Sequence, residues 1–182
     1  MGTLNPDEDV DELEDIIDDL EDLMQLDRDA VKAYEIALDK VSDRAVREDL
    51  LMFKLDHERH VDDLARIVVR LGGEPEDRGN LRGLLSETLA VIRGSRGTLG
   101  ALKAIRMSEK LTNTMYAKTL EEPLTIDARE VVEANRDDER RHLVAIKGHL
   151  ARLDHDYFDD EEEDDLVTHG QHDDRPPLIL QR

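Results

Sequence analysis

Apolar residues recur every three or four positions along four long stretches of the chain, which is the spacing of an amphipathic helix. We predict helices over about 7–41, 43–71, 99–120 and 128–153. The run LRGLLSETLAVI predicts a short extra helix within the long connection between the second and third. The predicted fold is therefore all-α: a four-helix bundle built of two helical hairpins joined by a long crossover that carries a short extra helix.

The predicted helix starts carry capping residues. Ser42 or Asp43 is expected to cap the second long helix, and Asp127 with Glu130 has capping-box spacing at the start of the fourth. After Leu153 the helical period gives way to an acidic run, DHDYFDDEEEDD. We predict a bundle domain over 1–153 and a disordered acidic tail over 154–182. The tail closes with RPPLIL, a short apolar segment of the kind that docks on a partner.

Ionisable residues interrupt the apolar stripe of every long helix. His57 and His60 stand in the second stripe where leucines would ordinarily be, and Glu139 and His142 stand in the fourth. The corresponding positions of the first and third helices carry single carboxylates. The six candidate ligands are Asp27, His57, His60, Glu109, Glu139 and His142.

The spacing of these residues repeats along the chain. One constant sequence separation, which we call the repeat interval, links four pairs: Asp27 with Glu109, His57 with Glu139, His60 with His142 and Tyr34 with Tyr116. The chain therefore contains two copies of one helical hairpin. A pseudo-twofold axis between the copies would bring all six candidate ligands together in the middle of the bundle.

A cluster of this kind favours a metal site. Unpaired polar groups in a dry core each cost roughly 2–7 kcal/mol, and neighbouring carboxylates repel unless protons or cations lie between them. The chain has no cysteine, and oxygen and imidazole ligands suit iron, manganese or zinc. Two metal ions ~3.5–4 Å apart can share a carboxylate and act on O₂ or peroxide. Tyr34 and Tyr116 are expected to hydrogen-bond to the ligands or, alternatively, to be oxidised.

The overall charge limits the partners. A formal net charge of −21 argues against nucleic acid and against anionic membrane surfaces, and makes metal cations the natural partners. No stretch approaches the ~18 apolar residues of a membrane span, and the N-terminus lacks the apolar core of a secretory signal. We expect a cytoplasmic protein, and the sequence leaves a homodimer open.

At these residues the chain resembles the ferritin-like superfamily, in which two helices each supply a carboxylate and two supply Glu-x-x-His. ERRH at 139–142 matches that motif, and HERH at 57–60 matches its spacing. The likeness covers about 13–153 and is similar to rubrerythrin- and bacterioferritin-type proteins, especially small bacterial bundles of unknown role. The resemblance implies a di-iron centre and a ferroxidase- or peroxidase-type oxidoreductase. Some members are cargo of protein shells, to which they bind through C-terminal peptides. The tail of this chain therefore leaves open a protein shell as both partner and compartment.

The sequence departs from the family at two ligands. His57 stands where the family usually has a glutamate, often a bridging one, and Asp27 is one methylene shorter than the expected glutamate. Three carboxylates and three imidazoles offset less of the charge of a metal pair, so a mononuclear or zinc-filled site stays open. Glu35, Asn135 and His149 are weaker candidate ligands.

A second class of function also stays open. The buried polar groups could set helix register in a non-enzymatic bundle that binds a partner through its tail.

Overall fold

The computed structural model describes residues 6–76 and 84–154, with side chains over 12–76 and 89–154. Within these ranges every regular element is a helix, as predicted. The helices are α1 (Pro6–Leu38), α2 (Arg44–Arg70), α3 (Leu84–Gly94), α4 (Gly97–Thr119) and α5 (Ile126–Leu153). Helix α3 is the predicted extra helix of the crossover. The predicted tail beyond Asp154, with its RPPLIL segment, lies outside the described residues.

The four long helices form a closed bundle. The short connections 39–43 and 120–125 join α1 to α2 and α4 to α5 as two hairpins. The hairpins pack α1 against α4 and α2 against α5, and α3 lies against α1 and α4. The prediction of two hairpins joined by a long crossover is thus confirmed. No helix in the described part of the chain is long and apolar enough to cross a membrane.

The second helix of each hairpin begins at a side-chain cap. The Asp43 carboxylate accepts a hydrogen bond from the backbone N–H of Val46, as expected. The cap of α5 is Thr125, whose hydroxyl accepts from the backbone N–H of Ala128. The expectation of a cap at Asp127 is therefore wrong. The helix begins two residues earlier than expected, which places Asp127 in its first turn. A carboxylate there interacts favourably with the positive end of the helix dipole.

An arginine closes the end of the preceding helix in each hairpin. Arg47 donates from Nη1 to the backbone carbonyl of Leu38 at 2.6 Å, and Arg129 donates from Nη1 to the carbonyl of Leu120 at 3.0 Å. Both pairs are nine residues apart, and the second pair follows the first by the repeat interval. The internal repeat therefore extends from the candidate ligands to the turns.

The bundle core is apolar at both ends and polar in the middle. One apolar cluster forms where α1 and α4 meet the N-terminal half of α2 and the C-terminal half of α5. A second forms at the opposite ends of the same helices. The first includes Leu38, Leu50, Leu102, Ile105, Ile146 and Leu150, and the second includes Leu20, Met24, Leu64, Val68, Ala128 and Val132. The candidate ligands lie between these clusters.

Candidate metal centre

The six candidate ligands lie together in the middle layer of the bundle, and each is completely buried. Their donor atoms form two groups of four, and within each group all the atoms lie within 4.8 Å of one another. One group contains Asp27 and His60, and the other contains Glu109 and His142. Both groups include His57 and Glu139, so these two side chains connect the halves of the cluster.

His57 lies at the centre of the cluster. Its Nδ1 is 2.8 Å from Oδ1 of Asp27 on α1, and its Nε2 is 3.2 Å from Oε1 of Glu109 on α4. Burial alone would lower the pKa of this imidazole, but the charge of Glu139 and the hydrogen bonds to Asp27 and Glu109 raise it well above the usual value. The raised pKa favours the imidazolium form of His57, whose two ring nitrogens each lie near a carboxylate oxygen.

The three carboxylates respond differently to this cation. Burial would raise the pKa of Asp27, but the hydrogen bond with His57 and the nearby ring of His60 lower it below its usual value. The rings of His142 and His57 likewise outweigh burial and lower the pKa of Glu109. Burial, aided by the charge of Glu109, raises the pKa of Glu139 to about 7. Glu139 is thus the carboxyl group of the three whose pKa lies nearest neutral pH.

Two tyrosines connect the hairpins through these carboxylates. The hydroxyl of Tyr34 on α1 donates to Oε1 of Glu109 at 2.6 Å, and the hydroxyl of Tyr116 on α4 donates to Oδ2 of Asp27 at 2.6 Å. Each tyrosine thus bonds to the carboxylate of the opposite hairpin. The carboxylate on its own helix is seven residues away, or ~10 Å along the helix axis, which is too far for a hydrogen bond. Burial is the main cause that raises the pKa of both hydroxyl groups, which keeps them protonated donors.

Two further carboxylates, which the sequence analysis did not identify, hold the outer histidines. Oδ2 of Asp56 lies 3.0 Å from Nε2 of His142, and Oδ2 of Asp138 lies 3.2 Å from Nε2 of His60. A carboxylate on one ring nitrogen fixes the orientation of an imidazole and makes the other nitrogen a better ligand. The two aspartates are one repeat interval apart, and this relation is the signal that identifies them.

The outer aspartates are in turn paired with arginines. Arg59 lies 3.1 Å from Oδ1 of Asp56 and also contacts Asp138, and Arg141 contacts Asp138. Arg59 and Arg141 are again related by the repeat interval. Two carboxylates and two guanidinium groups therefore form a charge-balanced layer between the outer histidines and the surface on the α2–α5 side of the bundle.

Several inward-facing donor atoms of the cluster lie near one another, for example Nδ1 of His60 at 3.1 Å from Oε1 of Glu139, but have no partner in hydrogen-bond geometry among the described residues. They are Nδ1 of His60, Nδ1 of His142, Oε2 of Glu109 and both carboxylate oxygens of Glu139. Buried polar atoms are nearly always paired, and leaving one unpaired costs about 1–3 kcal/mol. Five unpaired atoms that converge from four side chains fit a metal-binding role, and their oxygen and imidazole chemistry suits iron, manganese or zinc.

The two halves of the cluster differ in their packing. Phe53 stacks on His142 with ring centroids 4.3 Å apart and meets Tyr34 edge-on at 6.4 Å. The counterpart of Phe53 in the second hairpin is Asn135, whose Nδ2 lies 3.4 Å from the Tyr116 hydroxyl. One half therefore has an apolar lining and the other a polar one.

The weaker candidate ligands lie outside the two donor groups. The Glu35 side chain is 58% exposed and pairs with Lys54 at 3.3 Å. His149 is partly buried and bonds through Nε2 to Asp49 at 2.7 Å. Asn135 is buried next to Tyr116, as expected of a satisfied polar group.

Comparison with solved structures places the fold. A ferritin-like, diiron-carboxylate protein from Bacillus anthracis is 22% identical over 76% of this chain and 97% of its own, with a TM-score of 0.60. A dodecameric thioferritin, the bacterioferritin-related protein of Bacteroides fragilis, is 14% identical over 81% of this chain and 92% of its own, with a TM-score of 0.63. Both likenesses concern the fold.

A third solved structure contains a longer chain. It is a two-domain protein from Anabaena variabilis with DJ-1/ThiJ/PfpI-like and ferritin-like domains, 12% identical over 93% of this chain with a TM-score of 0.63. The present chain spans 42% of the length of that protein.

Comparison by sequence gives a family and no individual relative. A search of curated proteins finds no match. Residues 15–122, from α1 to the end of α4, match the domain of unknown function DUF2383, and this range includes Asp27, His57, His60 and Glu109. The buried His/Asp/Glu cluster and the fold together indicate metal binding. This chain thus belongs to the DUF2383 family, with the fold of a ferritin-like four-helix bundle.

Proposed function

We propose that this protein binds two iron ions in its polar middle layer and couples oxidation of ferrous iron to reduction of dioxygen or peroxide. The observation that carries this proposal is the set of unpaired, fully buried donor atoms that face one another across the cluster. Manganese and zinc suit the same donors, so the identity of the metal is part of the proposal.

The side chains would form two metal-binding positions. Asp27 and His60 would hold one ion, Glu109 and His142 would hold the other, and Glu139 would serve both through its two oxygens. His57 reaches both groups but, as a neutral imidazole with one free nitrogen lone pair, would bind one ion at a time. A bound pair of iron ions supplies the electrons that reduce an oxygen–oxygen bond.

The remaining polar groups position these ligands. Tyr34 and Tyr116 each fix one carboxylate oxygen of Glu109 or Asp27, which leaves the second oxygen to face the centre. Asp56 and Asp138 fix the outer histidines with Nδ1 turned inward. We assign positioning to both tyrosines as their first role. Their close contact with the ligands also allows the alternative, electron donation from the phenol to the centre.

The second candidate is a metal-free structural network. His57 already links Asp27 and Glu109, and its raised pKa favours a cationic ring, which would replace a metal in part. In that case the polar layer would set the register of the four helices, and the protein would act by binding a partner.

Metal content separates the two candidates. Freshly purified protein is analysed by elemental mass spectrometry, before and after anaerobic loading with ferrous iron. We expect about two irons per chain, since two donor groups are present. The double substitution of His60 and His142 by Leu should abolish uptake, because it removes one inward nitrogen from each group.

The matched control is His149→Leu, which removes a histidine of α5 that lies outside both donor groups. It should keep the iron content of the wild-type chain. Stoichiometric iron in the double variant would contradict the proposed site. Absence of tight iron, manganese or zinc in the wild-type chain would favour the structural network.

A further inference from the structure

The internal repeat is broken at one ligand position. Asp27 and Glu109 both bring a carboxylate, and His60 and His142 both bring an imidazole. His57, however, lies opposite Glu139, so the first hairpin supplies one carboxylate to the cluster and the second supplies two. Both of these residues belong to both donor groups, so the difference acts on the two metal positions together.

The carboxylates of the cluster set its charge almost alone. The ligands are completely buried, and no buried residue in the described part of the chain is Lys or Arg. The outer layer of two aspartates and two arginines is balanced. Two divalent ions therefore exceed the charge of the three carboxylates by one unit, and two trivalent ions exceed it by three. Excess charge in a buried site is strongly disfavoured, so the trivalent pair is the less stable one.

We propose that His57 biases the bound iron pair toward the ferrous state and thereby makes a peroxide, in preference to dioxygen, the oxidant of this centre. The inference rests on the proposed iron site. A glutamate at this position, like its counterpart Glu139, would neutralise one more positive charge in either oxidation state, and would stabilise the more highly charged trivalent pair more. A neutral imidazole binds one ion through one nitrogen and adds no negative charge.

The preference for peroxide follows from the electron balance. Two ferrous ions give one electron each, the oxygen–oxygen bond of hydrogen peroxide breaks, and two protons complete two water molecules. The same two electrons and two protons convert dioxygen only to hydrogen peroxide, with its oxygen–oxygen bond intact and a much smaller driving force. A pair that gives up electrons reluctantly is thus oxidised by peroxide more readily than by dioxygen.

The test compares the wild-type chain with His57→Glu and His57→Gln. Both replacements have the same shape, and only glutamate adds a charge. Iron-loaded proteins are equilibrated anaerobically with redox mediators, and the ferrous to ferric ratio is read by Mössbauer spectroscopy. At one fixed potential we expect this ratio to be about a hundredfold lower in His57→Glu than in wild type, or ~120 mV for a one-electron couple. His57→Gln should stay close to wild type.

Equal ratios in wild type and His57→Glu would overturn the inference, and so would a His57→Gln ratio as low as that of His57→Glu. Iron content of the same samples separates this failure from failure of the proposed function. Wild-type protein without iron would refute both. Two irons per chain in each protein, with an unchanged ratio, would refute the inference alone. The rate advantage of peroxide over dioxygen should also shrink in His57→Glu.

A second measurement uses only the wild-type chain and needs no variant to fold. Zinc and gallium are redox-inert ions with charges of two and three, so they report charge preference directly. The chain should bind two zinc ions but only one gallium ion under the same conditions, as read by native mass spectrometry. Two gallium ions bound as tightly as two zinc ions would overturn the inference.

Discussion

The two hairpins share a frame and differ in what they place inside it. Both have a capped second helix, an arginine on the preceding helix end, a tyrosine on the opposite carboxylate and an aspartate on the opposite histidine. In the middle layer they differ in chemical type at His57 against Glu139 and at Phe53 against Asn135. Positions where the residue type repeats therefore hold the ligands in place, and positions where it changes alter the charge and the packing of the site.

The shared contacts also make each half depend on the other. Tyr34 and Asp56 of the first hairpin bond to ligands of the second, and Tyr116 and Asp138 of the second bond to ligands of the first. Neither hairpin alone contains a complete donor group, because each group draws on at least three helices. The polar layer can thus form only when the hairpins dock.

The largest expected effect is a pH dependence of the free energy of unfolding. It arises at Glu139, where the internal repeat is broken. The pKa of Glu139 is raised by burial from 4.5 to about 7 in the metal-free protein. Its contribution to stability is therefore fully present below pH 4.5 and is lost as the pH rises through about 7, a change of ~3 kcal/mol. The raised pKa of His57 acts in the same direction above its usual value of 6.5.

Urea unfolding of chelator-treated protein between pH 4.5 and 8 measures this loss. Glu139→Gln should flatten the profile, because the amide carries no titrating proton. Glu133→Gln, on the exposed side of the same helix, is the control and should keep the wild-type slope. An equal slope in wild type and Glu139→Gln would show that this carboxyl group is already ionised in the metal-free fold.

The next effect concerns Tyr34 and Tyr116, which occupy equivalent positions and bond to the opposite hairpin in the same way. Tyr34→Phe and Tyr116→Phe each remove a buried hydrogen bond to a charged acceptor, and each should lower the free energy of unfolding by about 1.5–3 kcal/mol. Tyr116→Phe should cost more, because it also leaves the Asn135 amide without its partner. Equal losses in urea titrations would mean that the contact with Asn135 contributes no stability.

A smaller effect is expected from the outer aspartates. Asp56→Asn and Asp138→Asn weaken the hold on His142 and His60, and each should lower metal affinity about 10–100-fold. Competition with a chromogenic chelator gives the affinity. Asp63→Asn, which removes a carboxylate of α2 that pairs with Arg66, serves as the control and should bind like wild type. Unchanged affinity in both test variants would remove the positioning role.

The smallest effect tests a cap that lies far from the cluster. Thr125→Ala removes the hydroxyl that accepts from the first turn of α5 and should cost about 1 kcal/mol. Thr125→Asp gives the second hairpin the residue type of its repeat mate and should restore the loss. Metal content should not change in either variant. A loss of metal would show that the start of α5 controls the position of Glu139 and His142.

Much of this arrangement could be predicted from periodicity. The lines of apolar residues and the constant repeat interval indicated the bundle and the six polar positions of its middle layer. The structure brings these six side chains together, and metal ligation by them stays a prediction. Asp56 and Asp138 were missed because each lies beside its stripe and is typical of a solvated face.

Other details depend on how the helices cross. The partners of Tyr34 and Tyr116 lie on the opposite hairpin, and a pattern within one helix carries no information about which residues meet across the bundle. The start of α5 was misplaced because Asp127 and Glu130 have capping spacing, whereas the local backbone conformation makes Thr125 the cap. Local signals compete at a helix start, and only the packed structure decides between them.

The crossover that carries α3 allows the two halves of the site to differ in sequence. If two identical hairpins associated as separate subunits, twofold symmetry would require every side chain to occur twice in the site. Equivalent positions such as 57 and 139 would then have to carry the same residue. A single polypeptide joins the copies covalently, so equivalent positions can carry different residues while the scaffold keeps its pseudo-twofold arrangement. The crossover therefore converts a symmetric assembly into one whose two halves can specialise.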